Sequence, residues 1–144
     1  MKTTEPPVIV KQAYNTSRYR VWSALTTLEE MVQWFFPNIS TFEAKVGFET
    51  NFDVTSGERV FPHYWKILEI IEQQFMVQEW HYKGYPGLCT VAFELETNKE
   101  QTLLTVTATV LEDFSDDIPE FRRESCLGGW QYFIQERLKQ HLNR

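Results

Sequence analysis

With 144 residues the chain fits one domain and is long enough to close a real core. Its net charge of −6 sets a field that repels phosphate backbones and anionic membranes, so nucleic acid is not an expected partner. Aromatic residues reach 15 %, an excess that suits large core pieces or the lining of an apolar cavity.

The first residues, through Pro6-Pro7, lack an apolar signal region, and no run approaches membrane-spanning length, so no membrane insertion is expected. Val8 to Tyr14 is β-branched and partly alternating, which predicts a strand, and Asn15-Thr16-Ser17 offers three candidate helix caps. Two short helices follow. Val21, Trp22 and Leu25 share a face over Arg18 to Thr26, as do Leu28, Met31, Val32 and Phe35 over Leu28 to Phe35. Thr26 or Thr27 is the expected cap of the second, with Glu29 and Glu30 near its positive end.

From Ile39 the period changes to two. Phe42, Ala44 and Val46 predict one strand up to Gly47, and Phe48, Thr50, Phe52 and Val54 predict its antiparallel neighbour. Tyr64 to Ile71 is a strand apolar on both faces. Phe75 to Tyr82 places Gln78, Trp80 and Tyr82 together, opposite Glu79 and His81. Cys89, Val91, Phe93 and Leu95 make the next inward face, and Leu104, Val106, Ala108 and Val110 the last, backed by threonines. Asp117 to Leu142 reads as one amphipathic helix of about 39 Å, with Asp117 as cap, Pro119 in the first turn and Glu120 as capping-box partner. Ile118, Phe121, Trp130, Phe133, Ile134, Leu138 and Leu142 form its apolar face. Gly128-Gly129 interrupts it, either for close approach to a sheet or to leave room for a ligand.

These elements predict an α+β fold: a curved antiparallel sheet of six to seven strands around a long C-terminal helix, with two short helices after the first strand. Residues 1–144 form one unit, without linker, repeat or low-complexity segment. The expected core is Trp22, Leu25, Phe42, Phe52, Trp80, Val91, Phe93, Val106, Ala108, Trp130, Phe133 and Leu138.

Val21-Trp22-Ser23-Ala24-Leu25-Thr26, Trp34-Phe35, Ile67-Leu68-Glu69-Ile70 leading to Trp80, and Gly129-Trp130 with Leu138 and Leu142 resemble the family of activator homologues of the ninety-kilodalton heat-shock protein ATPase. That family belongs to the START-like superfamily, with the birch-pollen allergen and polyketide cyclases as distant relatives. The resemblance spans Val8 to Leu142 and implies a helix-grip fold with an apolar cavity between sheet and terminal helix. Two departures stand out. Where many members carry a glycine pair this chain has Val46-Gly47-Phe48, which puts Phe48 at one end of the cavity. Where many have glycine opening the next strand it has Tyr64-Trp65. Co-chaperone members also carry a separate gripping domain for which this chain has no room, so that activity is not carried over.

Candidate chemistry is sparse. His63, His81 and His141 lack metal-ligand spacing, and no catalytic triad order, phosphate loop or nucleophile elbow is present, so no catalytic residue, metal or cofactor is expected. Glu112-Asp113 and Asp116-Asp117 read as caps and solvated loop, and Cys126 as a small buried hydrophobe. Two cysteines without a redox spacing fit a reducing cytoplasm. The expected site is the lining of the cavity: Phe48, Phe52, Tyr64, Gln78, Trp80, Tyr82, Phe93, Gly129, Trp130 and Phe133, with Arg59 and His63 near its rim. The leading function is binding of a small apolar molecule there. The alternatives are a chaperone-associated domain acting through its surface, and a cyclase- or hydrolase-type enzyme using the same cavity.

Overall fold

The computed structural model describes residues 1–143. Strand β1 (Val8–Tyr14) is followed by helices α1 (Arg18–Thr26) and α2 (Leu28–Trp34). Five strands come next: β2 (Glu49–Ser56), β3 (Arg59–Ile71), β4 (Phe75–Tyr82), β5 (Leu88–Asn98) and β6 (Gln101–Glu112). They form one antiparallel sheet in the order β1-β6-β5-β4-β3-β2. Each hairpin pairs consecutive strands, and β1 returns to the far side of β6 with Val10 opposite Val106. The register shifts between Ile67 and Glu69 on β3 and between Leu88 and Cys89 on β5. Such irregularities bend a strand and increase its twist, which suits a sheet that must wrap a helix.

The alternation expected of β4, β5 and β6 is present: Met76, Gln78 and Trp80, then Cys89, Val91, Phe93 and Leu95, then Leu104, Val106 and Ala108 are buried on the concave face. The C-terminal helix lies against them. It runs as α3 (Arg123–Gln131), a π-helical stretch (Tyr132–Arg137) and α4 (Leu138–Leu142), and it buries Trp130, Ile134, Leu138 and His141. Within the wide turn, the Ile134 carbonyl accepts a hydrogen bond from the buried Tyr14 hydroxyl at 2.5 Å. That bond ties the helix to β1 where π geometry alters the helix's own ladder. Burial pushes the Tyr14 hydroxyl pKa far up, so it stays a donor.

Helix α1 is capped by Ser17, whose Oγ accepts from the Arg20 N–H at 3.2 Å. Thr27 stands at the cap of α2 without a side-chain capping bond, its hydroxyl pairing with Ser23 Oγ at 3.3 Å, and Glu29 and Glu30 occupy the first turn. Glu30 then reaches across the fold, accepting from Ser23 Oγ at 2.6 Å and lying 2.8 Å from His141 Nε2. This ties the short helices to the end of the chain. Burial alone would raise the Glu30 carboxyl pKa, but Ser23, His141 and Arg20 together bring it below its ordinary value.

Two expected elements differ. The strand expected over 39–46 does not form; the sheet has six strands. Ile39 and Phe42 turn into the core, while Val46 is 59 % exposed in a turn closed by Gly47 at φ +87°. The edge of β3 is already taken: Ile67 exchanges backbone hydrogen bonds with Gly47 and Phe48, the lead-in to β2. The outer edge of β2 stays open, but the segment meets it through side chains, Asn38 donating to the Asp53 carbonyl and Thr41 Oγ1 lying 3.1 Å from Thr50 Oγ1, and not through a backbone ladder. The C-terminal helix also begins later than Asp117. A 3₁₀ turn (Pro119–Phe121) precedes it and Arg122 is extended, so α3 starts at Arg123. The Asp117 N–H donates to Ser115 Oγ, and Glu120 turns away to Ser56 instead of closing a capping box.

One glycine is fixed by packing. Gly87 has φ +121°, and a Cβ there would fall inside the Phe114 ring, itself 1 % exposed. Gly87→Ala is therefore expected to cost about 2–4 kcal/mol in a urea titration. Gly84→Ala, at φ +90° with open space around it, should cost about 1 kcal/mol. Equal losses would show that Phe114 moves aside freely.

Candidate functional site

A pocket of about 250 Å3 opens between the concave face of β2–β4 and the C-terminal helix. Phe61 and His63 of β3 and Trp80 and Tyr82 of β4 form its floor, because these positions share the inward parity of their strands. Phe35 and Phe36, just past α2, close one side, and Phe121, Cys126, Gly129, Trp130 and Phe133 close the other. Neighbouring rings touch throughout. Phe35 lies 4.9 Å from Phe133 and 5.9 Å from Trp130, centroid to centroid, and Trp80 lies 5.4 Å from Trp130. Such separations are those of favourable offset and edge-to-face pairs.

Few polar groups reach this wall. The Trp80 Nε1–H donates to Gln78 Oε1 at 2.8 Å, so the core glutamine satisfies the indole. His63 is 7 % exposed and boxed by Phe36, Phe52, Trp80 and Tyr82. Its Nδ1 lies 2.8 Å from the Phe61 carbonyl; a carbonyl only accepts, so Nδ1 carries the proton. Burial pulls the His63 pKa down to about 4, against smaller upward contributions from the Phe61 hydrogen bond and Asp53. The ring is therefore neutral near pH 7. At the rim, Glu120 accepts from Ser56 Oγ at 2.7 Å and faces Arg59 at 3.5 Å. The Ser56 hydroxyl first, then its own backbone N–H and Arg59, hold that carboxyl below its ordinary range. Burial raises the Tyr82 hydroxyl pKa and pushes the Cys126 thiol up to about 11, which leaves a thiol and not a thiolate.

The sequence matches the family described as activator of Hsp90 ATPase homolog 1-like protein over residues 15–143. The chain belongs to this family. No curated protein matches it. Among solved structures it is similar to protein CV1439 from Chromobacterium violaceum, with a TM-score of 0.80 at 16 % identity, covering 96 % of this chain and 98 % of that one. It is also similar to the Aha1 dimer from Colwellia psychrerythraea, with a TM-score of 0.73 at 20 % identity and 96 % of both chains covered. DynU16, a protein in the dynemicin biosynthetic locus, aligns with a TM-score of 0.78 at 22 % identity. That match covers 96 % of this chain but 48 % of DynU16, so the chain spans about half of its length. At these identities the likeness is one of fold.

Of the residues expected to line the cavity, Trp80, Tyr82, Gly129, Trp130 and Phe133 do so. Phe52, Gln78 and Phe93 do not: they are buried behind the wall, supporting His63, Trp80 and Trp130 respectively. Phe48 is half-buried against Phe42 at 6.0 Å, away from the pocket. Tyr64 is on the opposite face of the sheet, stacked on His81 at 5.1 Å, because its neighbours His63 and Trp65 take the inward parity. Gly128 and Gly129 do not mark close approach: a Cβ on either would meet no heavy atom within 4 Å. Phe61 and His63 share the parity of Trp65 on β3, but they precede the expected start of that strand at Tyr64, and its two apolar faces left the parity open. Phe35, Phe36 and Glu120 come from irregular or 3₁₀ segments, where no period points the side chain. Among the described residues no group of three or more His, Cys, Asp or Glu is placed to hold a metal ion, and no helix is long and apolar enough to cross a membrane.

Proposed function

We propose that the protein binds a small apolar ring compound in the pocket between the sheet and the C-terminal helix. The observation that carries this is a wall of aromatic rings around about 250 Å3, where the helix presents Gly129 in place of a side chain. Apolar wall left facing water is unfavourable, and a flat ligand would remove it. Binding is favoured over acid–base catalysis by the titratable side chains of the wall: burial raises Tyr82 and Cys126 well above neutrality, and His63 and Glu120 are shifted the other way. With His63 down to about 4 and Glu120 below its ordinary range, neither is poised to exchange a proton near neutrality. The proposed setting is a reducing cytoplasm, where Cys89 and Cys126 stay free, with residues 1–144 acting as one domain.

Native mass spectrometry of freshly purified protein should reveal a bound apolar molecule, and the emptied protein should take up a fluorescent apolar probe. Gly129→Leu should abolish that uptake. Stability should rise by about 0.5–1 kcal/mol, since the position is helical, open and without positive φ. No uptake by the wild type, with Gly129→Leu stability unchanged or lower, would sink the pocket reading and move a surface-acting, chaperone-associated role ahead of it.

A further inference from the structure

The polar inventory of the pocket narrows the ligand further, on the reading that the pocket binds one. Trp80 Nε1 is spent on Gln78, and His63 Nδ1 on the Phe61 carbonyl. Among the described residues, the sealed side-chain nitrogens and oxygens without a hydrogen bond are Trp65 Nε1, His141 Nδ1 and Glu120 Oε1, the last facing Arg59 at 3.5 Å. His63 Nε2 is not one of them, yet it has no hydrogen-bond partner within the described residues. It is therefore reached from the pocket that its ring lines. With the proton fixed on Nδ1, Nε2 presents a lone pair, an acceptor set among aromatic faces.

We propose that the pocket selects a flat, neutral ring compound bearing a hydroxyl group, whose O–H donates to His63 Nε2. Three features agree. The ring is 7 % exposed and packed between Phe52 at 5.2 Å and Tyr82 at 4.6 Å, so the acceptor is held in one orientation. The volume of about 250 Å3 exceeds the roughly 150 Å3 cavity that admits benzene, which leaves room for a fused bicyclic ring. An anionic head is disfavoured: no Lys or Arg lines the pocket among the described residues, the Met1 ammonium on its wall already interacts with the Asp113 carboxylate, and the Glu120 carboxylate stands at the rim. Fatty acids and aryl carboxylates are therefore a poor match, and plain hydrocarbons leave the acceptor unpaired.

The test compares naphthalene, 2-naphthol and 2-naphthoate at neutral pH by intrinsic fluorescence titration. The wild type should bind 2-naphthol about three- to tenfold more tightly than naphthalene, the range expected of one hydrogen bond, and 2-naphthoate most weakly. His63→Phe should bind naphthalene as the wild type does and lose the preference for the naphthol. Because the ratio is measured on the wild type, it stands even if the variant folds poorly. The His63 Nε2 nitrogen-15 shift supplies a second readout, moving with 2-naphthol and not with naphthalene. Equal wild-type affinity for naphthol and naphthalene, or a preference that survives in His63→Phe, overturns this inference while leaving the pocket reading intact. Binding of none of the three overturns both.

Discussion

Phe35→Ala is expected to lower the unfolding free energy by about 3–5 kcal/mol, among the largest losses of any side-chain truncation in the chain. The reason is its position. Phe35 follows the last turn of α2 and is 6 % exposed. Its ring stacks on Trp34 at 4.7 Å, contacts Trp65 at 5.4 Å and Trp80 at 6.2 Å on the sheet, and meets Trp130 at 5.9 Å and Phe133 at 4.9 Å on the C-terminal helix. Removing it separates three elements at once, and the rings around it are too large and too mutually constrained to close the space. Phe133→Ala should cost less, about 1–2 kcal/mol, because that ring is half-buried and already borders the pocket. Urea titrations of both variants, with unchanged slopes, measure the difference. A Phe35→Ala loss no greater than that of Phe133→Ala would mean that the aromatic cluster collapses inward and that its spacing is soft.

That contrast marks what could be read from residue order. Sheet strands β4, β5 and β6 were legible because a half-buried strand must alternate, and Trp80, Val91, Phe93, Val106 and Ala108 all fall inward as expected. The segment 39–46 alternates just as well and forms no strand even though the outer edge of β2 is free, since Ile39 and Phe42 are drawn into the core and tertiary packing overrides the segment's own pattern. The helix end was legible at Trp130 and Leu138 but its start was not. Asp117 and Glu120 have the residue types of a capping box, yet Glu120 finds Ser56, 64 positions away, and the first turn becomes 3₁₀. The same distinction divides the site. Positions on regular elements, such as Trp80, Tyr82 and Trp130, follow from parity or helical period. Phe35 and Phe36 sit where the chain leaves α2, and their direction is set by tertiary contacts. Tyr64 shows the converse: a strand apolar on both faces gives two candidate parities, and the bulky Trp65 beside it takes the core.

His63 should make stability strongly dependent on pH, by about 3 kcal/mol between roughly pH 6.5 and pH 4. Burial among Phe36, Phe52, Trp80 and Tyr82 penalises the imidazolium, so the folded pKa is about 4 against an ordinary value of 6.5. Within that window the unfolded chain binds a proton at this histidine and the folded chain does not. Falling pH therefore favours unfolding, and the contribution is complete above about pH 6.5 and lost as pH falls to about 4. The carboxyls of Glu30, Asp113 and Glu120 are also held below their ordinary range, and their contributions are likewise lost toward acid. Subtracting the profile of His63→Phe isolates the histidine, because those carboxyls are common to both proteins; Asp53, whose charge favours the imidazolium, is retained as well. Urea titrations at a series of pH values should show the wild type losing stability relative to the variant as the medium is acidified. The gap should level off below about pH 4, where both states bind the proton. Parallel profiles would mean that the imidazolium is accommodated in the folded protein, either by water entering the pocket or by rotation of the ring off the Phe61 carbonyl. Either event would break the orientation that makes Nε2 an acceptor, so the same acid titration reports on the integrity of the pocket wall.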